Sequence, residues 1–106
     1  MSGGSDKAYQ IYMLRCSGGS LYTGITTDIS RRFREHRGEL PGGAKYTRLH
    51  PPEDCAAVWE TDTRSAALRL ERRIKSLRRA GKERLIADNS YLCSVTDEPE
   101  LYRRTK

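Results

Sequence analysis

Arg32 and His36 stand four residues apart in a stretch that reads as a helix, so their heads can converge on one spot. At ~100° per residue, Ile29 and Phe33 define the buried direction of that helix. His36 falls ~40° from this direction and Arg32 ~80°, whereas Arg31 and Arg34 lie beyond ~100° and face solvent. A cation and an imidazole at the edge of a core need partners or a ligand, because burying them unpaired is costly. The bland reading of His36 is a flank histidine that caps the helix C-terminus, where the dipole favours it. Glu71 has the opposite charge pattern: from Arg64 to Arg84 there are nine Lys or Arg and only two acids, Glu71 and Glu83. Such a carboxylate is an ion-pair organiser, for which Lys75 is the i,i+4 partner, or a metal ligand. Three of the six tyrosines, Tyr9, Tyr12 and Tyr22, fall in one short region. Packing in a strand is the default for each, but a phenol facing a polar cleft can also donate or accept a proton.

These side chains have to be positioned by local elements whose signals are in the chain. Ala8 to Arg15 is rich in aromatic and apolar residues and short enough for a strand. Ser17-Gly18-Gly19-Ser20 supplies a tight turn, and Leu21 to Thr26 reads as the antiparallel partner strand. Thr26-Thr27-Asp28 offers N-cap oxygens for a helix from about Ile29 to Arg37, which Gly38 stops. A connecting stretch, Gly38 to Pro52, leads to a third strand over Ala56–Thr61. Asp62 or Thr63 then caps a helix from Arg64 to about Arg79 with an apolar stripe of Ala66, Leu70, Ile74 and Leu77. Gly81 is expected to break it before one or two further turns over Lys82–Asp88. The expected architecture is α+β: a small three-stranded antiparallel sheet flanked by helices, in the order β-β-α-β-α-α. Residues 1–7 read as a flexible lead-in, 8–88 as the globular domain, and 89–106 as an extension without a clear assignment.

The chain of 106 residues has room for one modest core, and 20 Lys and Arg against 14 Asp and Glu leave a net charge of +6. A basic balance of this size points weakly to a polyanionic partner. No apolar run approaches the ~18 residues of a membrane span, and the first residues lack the pattern of a secretory signal. Cys16, Cys55 and Cys93 are odd in number, widely spaced, and form no zinc or disulfide framework with His36 and His50. Small buried hydrophobes plus one exposed thiol, in a reducing, cytoplasmic setting, are the expectation.

Gln10-Ile11-Tyr12, nine intervening residues, and then Tyr22-Thr23-Gly24 resemble the paired motif of the GIY-YIG nuclease superfamily. The resemblance continues in register. Arg32 stands ten residues after Tyr22 and His36 four residues further on, at the spacings of the family's helix arginine and following His or Tyr position. Glu71 looks like its metal-binding glutamate. Gly43-Ala44-Lys45-Tyr46-Thr47-Arg48 is also similar to small stand-alone members related to the structure-specific flap endonuclease branch. Gln10 replaces the first motif's glycine, Thr23 stands where an aliphatic residue is common, and Ile25 follows Gly24 where some members carry lysine.

The resemblance covers residues 8–88 and implies divalent-metal-dependent hydrolysis of phosphodiester bonds in DNA, in repair or recombination. It assigns Tyr12, Tyr22, Arg32, His36 and Glu71 to catalysis, with Gly24 as a motif glycine and a Mg²⁺ or Mn²⁺ ion on Glu71. Tyr12, Tyr22 and His36 remain alternative acceptors for the proton of the attacking water. Lys45 and Arg48 of the connecting stretch, with Arg72 and Lys75 of the long helix, are candidates to follow a nucleic acid backbone. RNA is the alternative substrate, and a weakly active binding module is the alternative function. So small a domain has little left over to select a target, which leaves that task to a protein partner.

Overall fold

The computed structural model describes residues 8–106, so the lead-in expected over residues 1–7 lies outside the described residues. Strand β1 (Tyr9–Cys16) turns through a short 3-10 segment into β2 (Leu21–Thr26). Gly18 and Gly19 make this turn with φ of +85° and +88°, a region that side chains with a Cβ rarely enter. Helix α1 (Ile29–His36) follows, with the Asp28 carboxylate accepting from the Arg31 N–H as its N-cap. A short helix α2 (Lys45–Leu49) and the long strand β3 (Pro52–Thr61) come next. Thr63 then caps α3 (Arg64–Lys75), accepting from the Ala66 N–H, and α4 (Arg79–Ala87) leads into the C-terminal residues.

The sheet has four strands in the order β2-β1-β3-β4, where the sequence supports three. The fourth, β4 (Arg103–Arg104), pairs antiparallel with Trp59 and Glu60 of β3. Two charged residues carry no strand signature, and they are recruited by what lies beneath them. The Arg104 guanidinium sits over the Trp59 ring and donates to the carbonyls of Leu85 and Ile86. Residues 89–106 also include α5 (Leu92–Val95), and Leu92, Val95 and Tyr102 are part of the main core.

Three further boundaries differ from expectation. Strand β3 begins at Pro52 rather than Ala56, extended by pairing with the far end of β1 across two register irregularities. Helix α3 ends at Lys75 rather than about Arg79, where the Ser76 hydroxyl takes the Arg73 carbonyl and competes with the next turn. Gly81 lies inside α4 instead of breaking a helix; a Cβ there would make only ordinary contact with Leu77, so the position is open to helix.

Alternation along β1 divides the interior in two. Ile11 and Met13 face α3 and α4 and join Trp59, Leu70, Ile74 and Leu85 in the main core. Tyr12, Leu14 and Cys16 face the other way, against Val58, Ile29 and Phe33, in a smaller core covered by α1. The two layers meet at β2, which is an edge strand, so residues from α1 and from α3 can both reach around it.

Candidate active site

The site starts from the β1–β2 register, which sets Tyr12 directly opposite Gly24. The Tyr12 ring lies across the Gly24 backbone. A Cβ on Gly24 would stand 2.6 Å from Tyr12 Cζ and closer still to its hydroxyl. The glycine at this motif position is therefore a space for the tyrosine, not a turn. Tyr12 is 1% exposed, and its hydroxyl lies 2.8 Å from Nε2 of His36, itself 2% exposed, in the last turn of α1.

The proton positions in this pair follow from the next link. His36 Nδ1 is 2.8 Å from Thr47 Oγ1, and the Thr47 hydroxyl donates to the Ala44 carbonyl at 2.9 Å. A hydroxyl has one proton, so Thr47 must accept from His36 Nδ1–H. Nε2 is then the bare nitrogen, and the Tyr12 O–H donates to it. The result is a directed run, Tyr12 to His36 to Thr47 to the Ala44 carbonyl, joining β1, α1 and α2. His36 is thus neither a ring in solvent nor a simple helix cap.

Electrostatics keep both rings neutral at rest. Burial, reinforced by the Arg32 charge, pushes the His36 pKa down to about 4. Burial pushes Tyr12 up to about 12; Arg32 opposes the rise, while Tyr22 and Glu71 add to it. Glu71 on α3 is therefore near enough to act on Tyr12 electrostatically, although the two stand on opposite layers of the sheet.

Arg32 is held from two sides. Its Nη1 donates to Glu35 Oε1 at 2.7 Å and to the Gly42 carbonyl at 2.8 Å. Glu35 also accepts from Arg31, and the two arginines hold its carboxyl below the usual range, Arg32 first. Gly43 lets the loop press on α1: a Cβ there would lie 3.3 Å from His36 Cα and 3.1 Å from the Glu35 carbonyl carbon. At the other end of α1, Gln10 Oε1 accepts the first free N–H, that of Ile29, at 2.8 Å. The residue in place of the motif glycine thus pins the start of the helix that carries Arg32 and His36.

Tyr22 lies beside this group, with its ring 5.0 Å from His36 and 6.4 Å from Tyr12. It is half-buried, the most accessible of the three. Beyond it the rings continue outward: Tyr46 stacks on Tyr22 at 6.0 Å, and His50 stacks on Tyr46 at 4.7 Å. The Tyr46 hydroxyl donates to Ser20 Oγ at 2.6 Å, tying α2 to the hairpin. Glu71 pairs with Lys75 at 3.2 Å.

The remaining predicted residues separate. Lys45 and Arg48 sit exposed on α2, a helix where a connecting loop was expected. Lys75 shares a cleft with Tyr22 and Tyr46. Arg72 lines a different cleft, between α3 and α5, with Arg69, Arg73 and Ser94. Asn89, the nearest late asparagine, accepts from Trp59 Nε1 at 2.7 Å and is packed into the structure there. Sequence reasoning missed Thr47, Glu35 and Gly42 as partners of site residues. Only Thr47 had a signal, as part of the Gly43–Arg48 stretch.

Comparison with known proteins identifies a family. The family described as the GIY-YIG catalytic domain matches residues 8–84. A UPF0213 protein of Natronomonas pharaonis is 47% identical over 82 residues, covering 77% of this chain and 94% of that one. One from Cupriavidus necator is 50% identical over 74 residues, covering 69% and 77%. The solution NMR structure of a UPF0213 protein from Bacillus halodurans is 40% identical, covers 76% of this chain and 83% of that one, and superposes with a TM-score of 0.49.

Proposed function

The chain belongs to the GIY-YIG family of nucleases, and on that footing we propose that it is a divalent-metal-dependent endonuclease cutting DNA phosphodiester bonds in repair or recombination. The observation that carries this reading is the directed hydrogen-bonded run from Tyr12 through His36 to Thr47, with Arg32 and Glu71 acting on Tyr12.

Hydrolysis of a phosphodiester builds negative charge on the phosphoryl oxygens and the leaving oxygen. Arg32 has Nη1 committed to Glu35 and Gly42, which aims the guanidinium; its remaining donors clamp non-bridging oxygens. Glu71 would hold the ion. One carboxylate suits Mg²⁺ or Mn²⁺, which keeps several waters and takes further ligands from phosphate. Among the described residues no group of three or more His, Cys, Asp or Glu stands together, so the donor set fits neither zinc nor a two-ion site. When bound, the ion supplies charge neutralisation at the scissile phosphate and the leaving oxygen.

The water's proton has a route. Tyr12 takes it as its own proton passes to His36 Nε2, the bare nitrogen already in place. Tyr22, the accessible ring, orients water or phosphate. His36 has both nitrogens committed, whereas the Tyr12 oxygen keeps acceptor lone pairs while it donates, so His36 acts through Tyr12 rather than on water directly. Lys45, Arg48, Arg72 and Lys75 follow the backbone. Three or four phosphate contacts give a log–log salt slope of about −3.

The test is a panel of single strands, duplexes, flaps and branched junctions, as DNA and as RNA, with Mg²⁺ or Mn²⁺. Cleavage by the wild type that is lost in both Arg32→Ala and Glu71→Gln, with circular dichroism unchanged, is the expected result. Unchanged Mg²⁺-dependent cleavage in Glu71→Gln would remove the metal assignment. Salt-sensitive binding without cleavage of any substrate would make the protein an accessory module.

A further inference from the structure

Several cations of this chain already have an acid. Arg15 and Arg79 share Glu83, Arg69 pairs with Glu98, Arg31 and Arg32 share Glu35, and Arg103 reaches Glu60. Lys82 is different. It is half-buried, yet its ammonium has no ion-pair or hydrogen-bond partner among the described residues. It lies in a cleft of about 320 Å³ along the outer edge of β2, lined also by Leu21, Tyr22, Thr23, Tyr46 and Lys75. Two lysines therefore meet in one recess. The only acid paired with either is Glu71, on Lys75. Lys82 is left without a compensating acid beside a second lysine, so the recess favours an anion.

Tyr46 adds a different chemistry to the cleft. Tyr46 is 40% exposed, and its ring is held rather than free: it stacks with Tyr22 and with His50 and its hydroxyl is tied to Ser20, so it offers the cleft its edge. A fixed, accessible aromatic edge in the same cleft as two lysines matches one nucleotide, with an aromatic base and a phosphate. The volume lies at the small end of ligand clefts, ~300–1,000 Å³, which suits a single nucleotide and not a base pair. Tyr22 connects this recess with the Tyr12–His36 pair.

We propose that the cleft between Tyr46 and the Lys75–Lys82 pair is a nucleotide subsite next to the cleavage position, with Lys82 on the phosphate and Tyr46 against the base. This rests on the nuclease reading above and extends it to residues outside the motifs. The subsite contributes binding, so its loss raises KM and leaves the chemical step alone.

The test combines kinetics with a direct contact. Lys82→Ala and Tyr46→Ala are expected to raise KM by about three- to tenfold, in keeping with the loss of one phosphate contact or one edge-to-face aromatic contact, with kcat little changed. Lys82→Arg should restore most of the affinity, and Tyr46→Phe, which keeps the ring, should stay near wild type. Arg103→Ala, which removes the same charge at the opposite edge of the sheet, controls for net charge and should leave KM unchanged. Irradiating the wild type with a bromodeoxyuridine oligonucleotide should cross-link the peptide that carries Tyr46. Equal effects of Arg103→Ala and Lys82→Ala, or cross-links only elsewhere, would overturn the subsite. Cross-linking at Tyr46 in a protein that cleaves nothing would overturn the nuclease reading and leave the subsite standing.

Discussion

The Tyr12 hydroxyl donates to His36 Nε2 across 2.8 Å between two rings that are almost entirely buried. The direction of that bond is set one residue away, by Thr47, whose single proton is spent on the Ala44 carbonyl. The pair is therefore an acceptor unit with a fixed tautomer.

Tyr12→Phe removes the donor and leaves a buried imidazole nitrogen unpaired. Stability should fall by about 1–3 kcal/mol in urea unfolding, and the single-turnover cleavage rate by ~10²–10⁴. Thr47→Val should lower the rate less, because it frees the tautomer without removing the pair. Nitrogen NMR of the imidazole reads the tautomer directly. A protonated Nε2 in the wild type would contradict the assignment.

Two groups give stability separate pH windows. The His36 pKa falls from 6.5 to about 4 on folding, so between those values the unfolded chain binds a proton that the folded one does not. Stability should rise with pH across that window and be flat there in His36→Gln. Glu83 is held down at about 2, first by Arg15 and then by Arg79, from an ordinary 4.5. Its contribution is present above pH 4.5 and is lost as pH falls toward 2. Glu83→Gln should reduce that lower slope, to which Glu35, Asp88 and Glu98 also contribute, as followed by denaturant midpoints at a series of pH values.

Gly24→Ala places a Cβ against the Tyr12 ring, where neither the paired backbone nor the buried ring can easily give. A loss of about 1–3 kcal/mol is expected, as for overpacking, together with loss of the Tyr12–His36 bond in the imidazole spectrum. An unperturbed spectrum with full stability would show that the close approach is not needed.

Thr23 Oγ1 is buried on β2 and has no hydrogen-bond partner among the described residues. Thr23→Val keeps the shape and removes the unpaired group. It should stabilise the fold by about 1 kcal/mol in thermal or urea unfolding. A decrease would mean that the hydroxyl has a partner in solution.

Features encoded by neighbouring residues were legible in the chain itself. Asp28 and Thr63 cap the helices they precede, Gly18 and Gly19 turn the hairpin, and the periodicity of Ala66, Leu70 and Ile74 marks the buried face of α3. Each depends on contacts within a few residues, which spacing reports. The pairing of Arg32 and His36 near the core edge was also visible, because a helix fixes which side chains share a face.

The tertiary structure decided what depends on distant partners. A bond from residue 12 to 36, or a two-residue strand β4 laid on Trp59, has no local pattern to announce it. Helix α2 has five residues, too few for a periodicity and without a side-chain cap, and it exists because Thr47 and Tyr46 are anchored on α1 and the hairpin. Residue types and order thus determined which groups this protein brings to its chemistry. Burial and the order of the strands decided which of them touch, which way the Tyr12 proton points, and which cations find an acid. Proton direction and pKa depend on the last partner in a chain of contacts, and that partner is set only when the chain closes on itself.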